Sequence, residues 1–263
     1  MEPLWAAVLG LIQGLTEFLP VSSSGHLVLA GHLIGLPSTG LVFELLLHLA
    51  TLVAVIAFYR QDVVELIVAL PRGLRHPVAR LKDDETVRLG FFVVLASLPT
   101  AVIGLAFKDQ FETLTKYPQA VGGALLATAA ILTATHFIRP SERRLNARIA
   151  IAIGIAQGLA ITPGVSRSGA TIALALLLGI GTANAARFSF LISIPAIAGA
   201  AVLKMRGGFG DLDLGAAAIG FVVALVSGYM ALRWLVALVR ARRFAAFAPY
   251  CAIVGVLAIV LAP

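Results

Sequence analysis

Six stretches of this chain run for fifteen to nineteen residues with a single acid, Glu44, among them, and that pattern decides most of what it can fold into. They are Phe43–Tyr59, Leu89–Phe107, Ala120–Ile138, Phe188–Leu203, Leu214–Leu232 and Phe247–Leu261. A helix that crosses a bilayer needs about 20 mainly apolar residues, and one soluble core cannot hide six segments close to that length. Hydrophobic residues make up 60% of the 263 and charged residues 13%, against roughly 45–50% and 25% in a soluble domain. The short apolar/polar alternation of a membrane β-barrel is absent. The expected fold is therefore an all-α polytopic membrane protein with about six full transmembrane helices. The opening Met1-Glu2-Pro3 lacks the basic region of a removable signal peptide, and the lone Cys251 offers neither an internal disulfide nor a cysteine metal site.

The net charge of +7 is carried mainly by the connections. Arg60, Arg72, Arg75, Arg80, Lys82 and Arg88 fall after the first span, Arg139, Arg143, Arg144 and Arg148 after the third, and Arg240, Arg242 and Arg243 before the last. Basic residues near span ends stay cytoplasmic, so the 60–88, 139–148 and 240–243 segments are expected inside and both termini outside. Nothing in this distribution calls for a nucleic-acid partner.

The chain also repeats itself at an offset of 144 residues. Leu9-Gly10-Leu11-Ile12-Gln13-Gly14-Leu15 matches Ile153-Gly154-Ile155-Ala156-Gln157-Gly158-Leu159, and Val21-Ser22-Ser23-Ser24-Gly25 matches Val165-Ser166-Arg167-Ser168-Gly169 without a gap. Eight of the sixteen pairs from 10/154 to 25/169 are identical. A second echo relates Phe92–Pro99 to Phe188–Pro195 at a different spacing. The repeats are placed at approximately 1–138 and 145–263. Each opens with an apolar helix broken at Leu19-Pro20 or Pro163-Gly164, because proline and glycine interrupt helices. Such breaks survive in membranes where protein or a cavity satisfies the backbone, which predicts two re-entrant helical hairpins. Three spans separate them, so they enter from opposite faces, the first from outside and the second from the cytoplasm. That is an inverted-topology repeat with its site near the midplane.

Ionisable groups inside hydrocarbon are costly and mark function by default. The first set is Gln13, Glu17, Ser22, Ser23, Ser24 and His26. Gln13 and Glu17 lie four apart, on one helix face. Beyond Pro20, a hydroxyl or the imidazole is a candidate nucleophile and His26 a candidate general acid or base; capping of the next helix accounts for one serine only. The second set is Ser166, Arg167, Ser168 and Gly169, an anion cradle of glycine turn, helix N-terminus and guanidinium. Glu44 and His48, one turn apart, either orient the site or form a buried pair. Gln157, twin of Gln13, has no acidic partner because Ile161 stands where Glu17 does. Arg187 reads as an interface anchor, and His32, His76 and His136 as incidental. An acid able to hold a divalent cation, a nucleophile with a histidine and an arginine cradle suit phosphoryl transfer. At membrane depth they imply a lipid-tailed substrate. Ser23 is favoured as nucleophile with His26 as its base, while attack by His26 itself or by metal-bound water stays open.

The motifs Q13-G-L-T-E17-F-L-P-V-S-S23-S-G-H26 and P163-G-V-S-R167-S-G-A-T171 resemble, over essentially the whole chain, the undecaprenyl pyrophosphate phosphatase family, also known as the bacitracin-resistance proteins. The resemblance implies hydrolysis of undecaprenyl pyrophosphate to the monophosphate carrier with Mg2+ or Ca2+, at the outer side of the cytoplasmic membrane. It places Gln13 and Glu17 at the metal, Ser23, His26 and Arg167 at the reaction, and Thr171 behind them. Many family members have a carboxylate where Gln13 stands, which leaves one acid for the cation here. The rival reading is a transporter or flippase for a phosphorylated polyprenyl lipid, since inverted repeats and broken helices serve carriers too. A homodimer stays open.

Overall fold

The computed structural model describes residues 2–34, 41–75, 81, 83–138, 141–205 and 213–261. Among these there are twelve α-helices and no strand. Helices α1 (Pro3–Phe18) and α2 (Ser23–Ile34) form the first hairpin, and α8 (Ala147–Leu159) and α9 (Arg167–Leu177) the second. Between them lie α3 (Leu41–Phe58), α4 (Arg60–Arg75), α5 (Glu85–Ala106), the short α6 (Lys108–Leu114) and α7 (Pro118–Ala134). After them come α10 (Thr182–Met205), α11 (Leu214–Arg240) and α12 (Ala248–Leu261). All six apolar runs thus become helices. His76, Arg80, Lys82, Arg139 and Arg206 lie outside the described residues.

The helix ends follow local chemistry. Pro3 and Pro118 open α1 and α7, where a missing N–H costs nothing. Asp84, Asn146 and Asp213 cap α5, α8 and α11 by accepting first-turn N–H groups at 3.0–3.2 Å. The two hairpin turns are capped alike. Ser22 Oγ accepts from Gly25 N–H at 3.3 Å, and its repeat twin Ser166 Oγ accepts from Gly169 N–H at 3.0 Å.

The helices pack in exchangeable pairs. Helix α1 lies along α11 and α8 along α5; α3 crosses α11 and α10 crosses α5; α3 also meets α10, and α7 meets α12. Swapping α1 with α8, α11 with α5, α3 with α10 and α7 with α12 returns this same set, as a two-fold relation between halves requires. Glycines set the closest crossings. A methyl group on Gly10 or Gly14 would meet the backbone of α11 at Gly220 or Ala224, and one on Gly154 would meet the Ala96 carbonyl of α5. The matching Gly-x-x-x-Gly pairs 10/14 and 154/158 therefore do equivalent work, as small residues do where lipid gives helices no hydrophobic reason to associate.

The outward faces are apolar. Leu11 and Leu15 on α1, their twins Ile155 and Leu159 on α8, Val102 on α5, Val226 on α11 and Ile253 on α12 are all exposed, which suits lipid contact. One difference from the sequence reading concerns the 60–88 connection. Its first part is helix α4, bent by 83° from α3, with Val64, Ile67 and Val68 exposed beside Arg60 and Glu65. Apolar residues at helical spacing among charges make an amphipathic helix, whereas counting charges alone reads the segment as a connection.

Candidate active site

The two hairpin turns meet. Pro20 ends α1 because its ring cannot continue the helix, and the chain then turns through Ser22, whose backbone is left-handed at φ 68°. In the other turn Gly164 takes φ 95°, a conformation free of strain only for glycine. Ser22 Oγ accepts a second bond, from Gly164 N–H at 3.1 Å, so a single hydroxyl ties one turn to the other. A methyl on Gly25 would sit 3.1 Å from the Gly164 Cα, so the small residue at 25 is what lets the turns touch. Thr128 on α7 anchors the second turn, donating to Gly164 O at 3.0 Å and accepting from Ser166 N–H at 3.1 Å. Cys251 on α12 anchors the first, donating to Pro20 O at 3.3 Å.

Glu17 is the centre of this arrangement. Its side chain is 4% exposed, and four groups reach it, one from each of α1, α2, α3 and α9. Gln13 Nε2 donates to Oε2 at 3.0 Å, Ser23 Oγ donates to Oε2 at 2.5 Å, and Arg167 forms an ion pair with Oε1. His48 Nε2 stands 4.0 Å from Oε2, its ring fixed by a bond from Nδ1 to the Glu44 carbonyl at 2.8 Å. Four polar groups thus converge on one buried carboxylate. Arg167 is in turn steadied from behind: Thr171 Oγ1 donates to its carbonyl at 2.8 Å and lies 2.5 Å from Ser189 Oγ.

The structure brings together Gln13, Glu17, Ser23, Arg167 and His48, residues named from the sequence, and rearranges some roles. Ser23 does not bond to His26; its acceptor is Glu17. The His26 ring is held by Nδ1 against the Ser22 carbonyl at 2.8 Å and by Nε2 against Tyr250 Oη at 2.7 Å. Ser22, Ser166 and Ser168 are buried, and their hydroxyls build the turns rather than an open cradle, with Ser166 and Ser168 Oγ 3.2 Å apart. Gly169 is buried under the Ser166 cap. What remains for an anion is the Arg167 guanidinium, the partly exposed Ser23 and Ser24, and the first N–H groups of α2 and α9, which have no partner within their own helices. Gln157 leaves the site altogether: its amide donates to Thr100 Oγ1 at 3.2 Å and Ile192 O at 3.3 Å, bracing α8 against α5 and α10. Arg187 pairs with Asp62 of α4, and exposed His32 bonds only its own helix. Sequence reasoning missed Thr128, Ser189 and Tyr250. None sits in either broken-helix motif, and each is joined to the site by packing of distant helices.

For a cation the described residues offer no group of three His, Cys, Asp or Glu. Two buried amide oxygens have no hydrogen-bond partner, Gln13 Oε1 at the site and its twin Gln157 Oε1 away from it; only the Gln13 amide lies beside an acid. Half a turn of that amide would set its oxygen beside Glu17. This donor pair fits a hard cation whose remaining ligands are phosphate oxygens and water, the usual situation for Mg2+.

Residues 6–257 match the model of the bacitracin resistance protein BacA family. The chain belongs to that family. Among its relatives are the undecaprenyl-diphosphatases of Desulfosudis oleivorans, 44% identical with 97% of each chain covered, and of Methanobrevibacter smithii, 39% identical with 98% of this chain and 96% of the relative covered. That of Rubrobacter xylanophilus is 41% identical, with 95% and 94% covered. Both broken-helix motifs lie inside the family match, and so do all the residues that converge on Glu17.

Proposed function

We infer that the chain hydrolyses undecaprenyl diphosphate to undecaprenyl phosphate and orthophosphate, returning the lipid carrier to cell-wall synthesis. Membership of the BacA family and full-length relatives named undecaprenyl-diphosphatase support this activity. The observation that carries the site assignment is the convergence of Ser23 and Arg167, one from each hairpin, on Glu17.

The proposed course starts from groups already in contact around Glu17. The diphosphate lies between the N-termini of α2 and α9, and Arg167 turns from Glu17 to its oxygens. Ser23 Oγ bonds to the terminal phosphorus as the bond to the bridging oxygen breaks, leaving that electron pair on the lipid monophosphate. The Ser23 proton passes to Glu17, which already accepts its hydrogen bond. Water then cleaves the phosphoserine, giving a proton to His26 Nε2, while Glu17 returns a proton to Ser23. Nδ1 is committed to the Ser22 carbonyl, so Nε2, whose one partner among the described residues is the Tyr250 hydroxyl, is the ring atom that can gain a proton. A divalent cation, Mg2+ or Ca2+, would be held by Gln13 and Glu17 together with the substrate. When bound it would neutralise charge on the phosphate oxygens.

Brief incubation of purified protein in detergent with terminally labelled substrate tests this reading, because no transport is possible there. Orthophosphate should appear, an acid-stable label should map to Ser23, and chelation of divalent cations should bring release to background. No release contradicts the activity; an acid-labile label on His26 contradicts Ser23 as nucleophile.

The proposed setting is the cytoplasmic membrane of a bacterium-type cell envelope, with the site open to the outside and α4 at the inner face. The excess of basic residues in the 60–88, 139–148 and 240–243 segments supports it. Glu65 is exposed on α4, so Glu65→Cys in a Cys251→Ala background should resist an impermeant thiol reagent in intact cells and react after lysis. Labelling in intact cells reverses the orientation.

A further inference from the structure

We propose that Tyr250, at the start of the last helix, is a positioning residue for His26. Its hydroxyl is the partner of Nε2 in both protonation states of the ring. The contact is 2.7 Å long, and the two rings lie nearly parallel, 4° apart in plane with centroids separated by 5.7 Å. The opposite ring nitrogen decides the direction of the bond. The Ser22 carbonyl can only accept, so Nδ1 carries a hydrogen. In the neutral ring Nε2 is then an acceptor and the tyrosine hydroxyl donates to it. When Nε2 gains a proton the same hydroxyl accepts instead, so the imidazole need not move during turnover.

Helix α12 is built to hold the tyrosine there. The next residue, Cys251, donates to the Pro20 carbonyl of the first turn. Gly255 packs backbone to backbone with Gly122 of α7. Val254 and Ala258, one and two turns beyond Tyr250, pack in a cluster with Val28 and Leu29 of α2, the helix that carries His26. The alternative is an ordinary interfacial tyrosine, of the kind enriched at membrane surfaces, whose hydroxyl has met a convenient acceptor. Removing such a hydroxyl would not touch turnover.

The proposal rests on His26 acting in the hydrolysis. Tyr250→Phe in the purified full-length protein keeps the ring and deletes only the hydroxyl. We expect kcat for undecaprenyl diphosphate to fall about three- to tenfold with KM held within about twofold, the loss of one hydrogen bond that matters beyond ground-state binding. Carbethoxylation of His26 by diethyl pyrocarbonate, followed by peptide mass spectrometry, should speed up as Nε2 loses its partner, with exposed His136 as the unchanged reference. Faster modification with unchanged kcat overturns the positioning role. Unchanged modification overturns the contact itself. Full turnover in His26→Asn would instead sink the role assigned to His26, an outcome distinct from both.

Discussion

The left-handed backbone at Ser22 is the most constrained point of the site, because four contacts meet in one residue. Its hydroxyl caps α2, bridges to Gly164 and lies 3.4 Å from Ser24 Oγ, while its carbonyl fixes the His26 ring. An L residue in this conformation costs roughly 1–2 kcal/mol, and contacts on both sides of the turn hold it there. Ser22→Gly removes both the hydroxyl and the strain; Ser22→Ala removes the hydroxyl and keeps the strain. The alanine variant should therefore be less stable than the glycine variant by about 1 kcal/mol, read as a lower thermal midpoint in detergent. Equal midpoints would mean the turn relaxes freely. The sequence motif marked this residue as one of three candidate hydroxyls, because hydroxyls in a row cannot be ranked without the turn geometry. The same limit applied to Ser23. Spacing puts His26 three residues on, which looks like a base within reach, yet helix α2 turns the imidazole toward Tyr250 and leaves Glu17 beneath the hydroxyl.

Helices were legible wherever apolar runs were long or glycines recurred. The Gly-x-x-x-Gly twins declared the repeat in the sequence, and in the structure they are the crossing points of α1 on α11 and of α8 on α5. The broken elements were legible from Pro20 and Pro163-Gly164 for the same reason: backbone chemistry acts locally and survives any tertiary context. Helix α4 was hidden because Arg60, Asp62 and Glu65 raise its polarity, although Val64, Ile67 and Val68 recur at helical spacing. Partners that arrive from distant helices were not legible at all. Thr128 under the second turn, Ser189 behind Thr171 and Tyr250 over His26 lie in plain apolar runs, and only the packing of α7, α10 and α12 brings them in. Divergence between the repeats is visible at this scale too. Gln13 faces a carboxylate, whereas Gln157, with Ile161 in place of the acid, braces three helices.

For the whole molecule, the exchangeable helix pairs bring two broken helices tip to tip inside the helix bundle, and the diverged tips complement each other. One supplies acid and hydroxyl, the other the guanidinium. The Glu17–Arg167 pair is the joint between them, and removing one member of a buried pair leaves an uncompensated charge, typically about 3–5 kcal/mol. If the two hairpins form one catalytic unit, Glu17 and Arg167 cannot act independently. The decisive measurement is a double-mutant cycle on kcat/KM for undecaprenyl diphosphate with Glu17→Gln, Arg167→Gln and the two combined. Each single change should lower kcat/KM by at least about a hundredfold, roughly 2.7 kcal/mol, and the double variant should be no worse than the worse single one. Losses that multiply in the double variant would contradict a shared site and leave two hairpins with separate tasks.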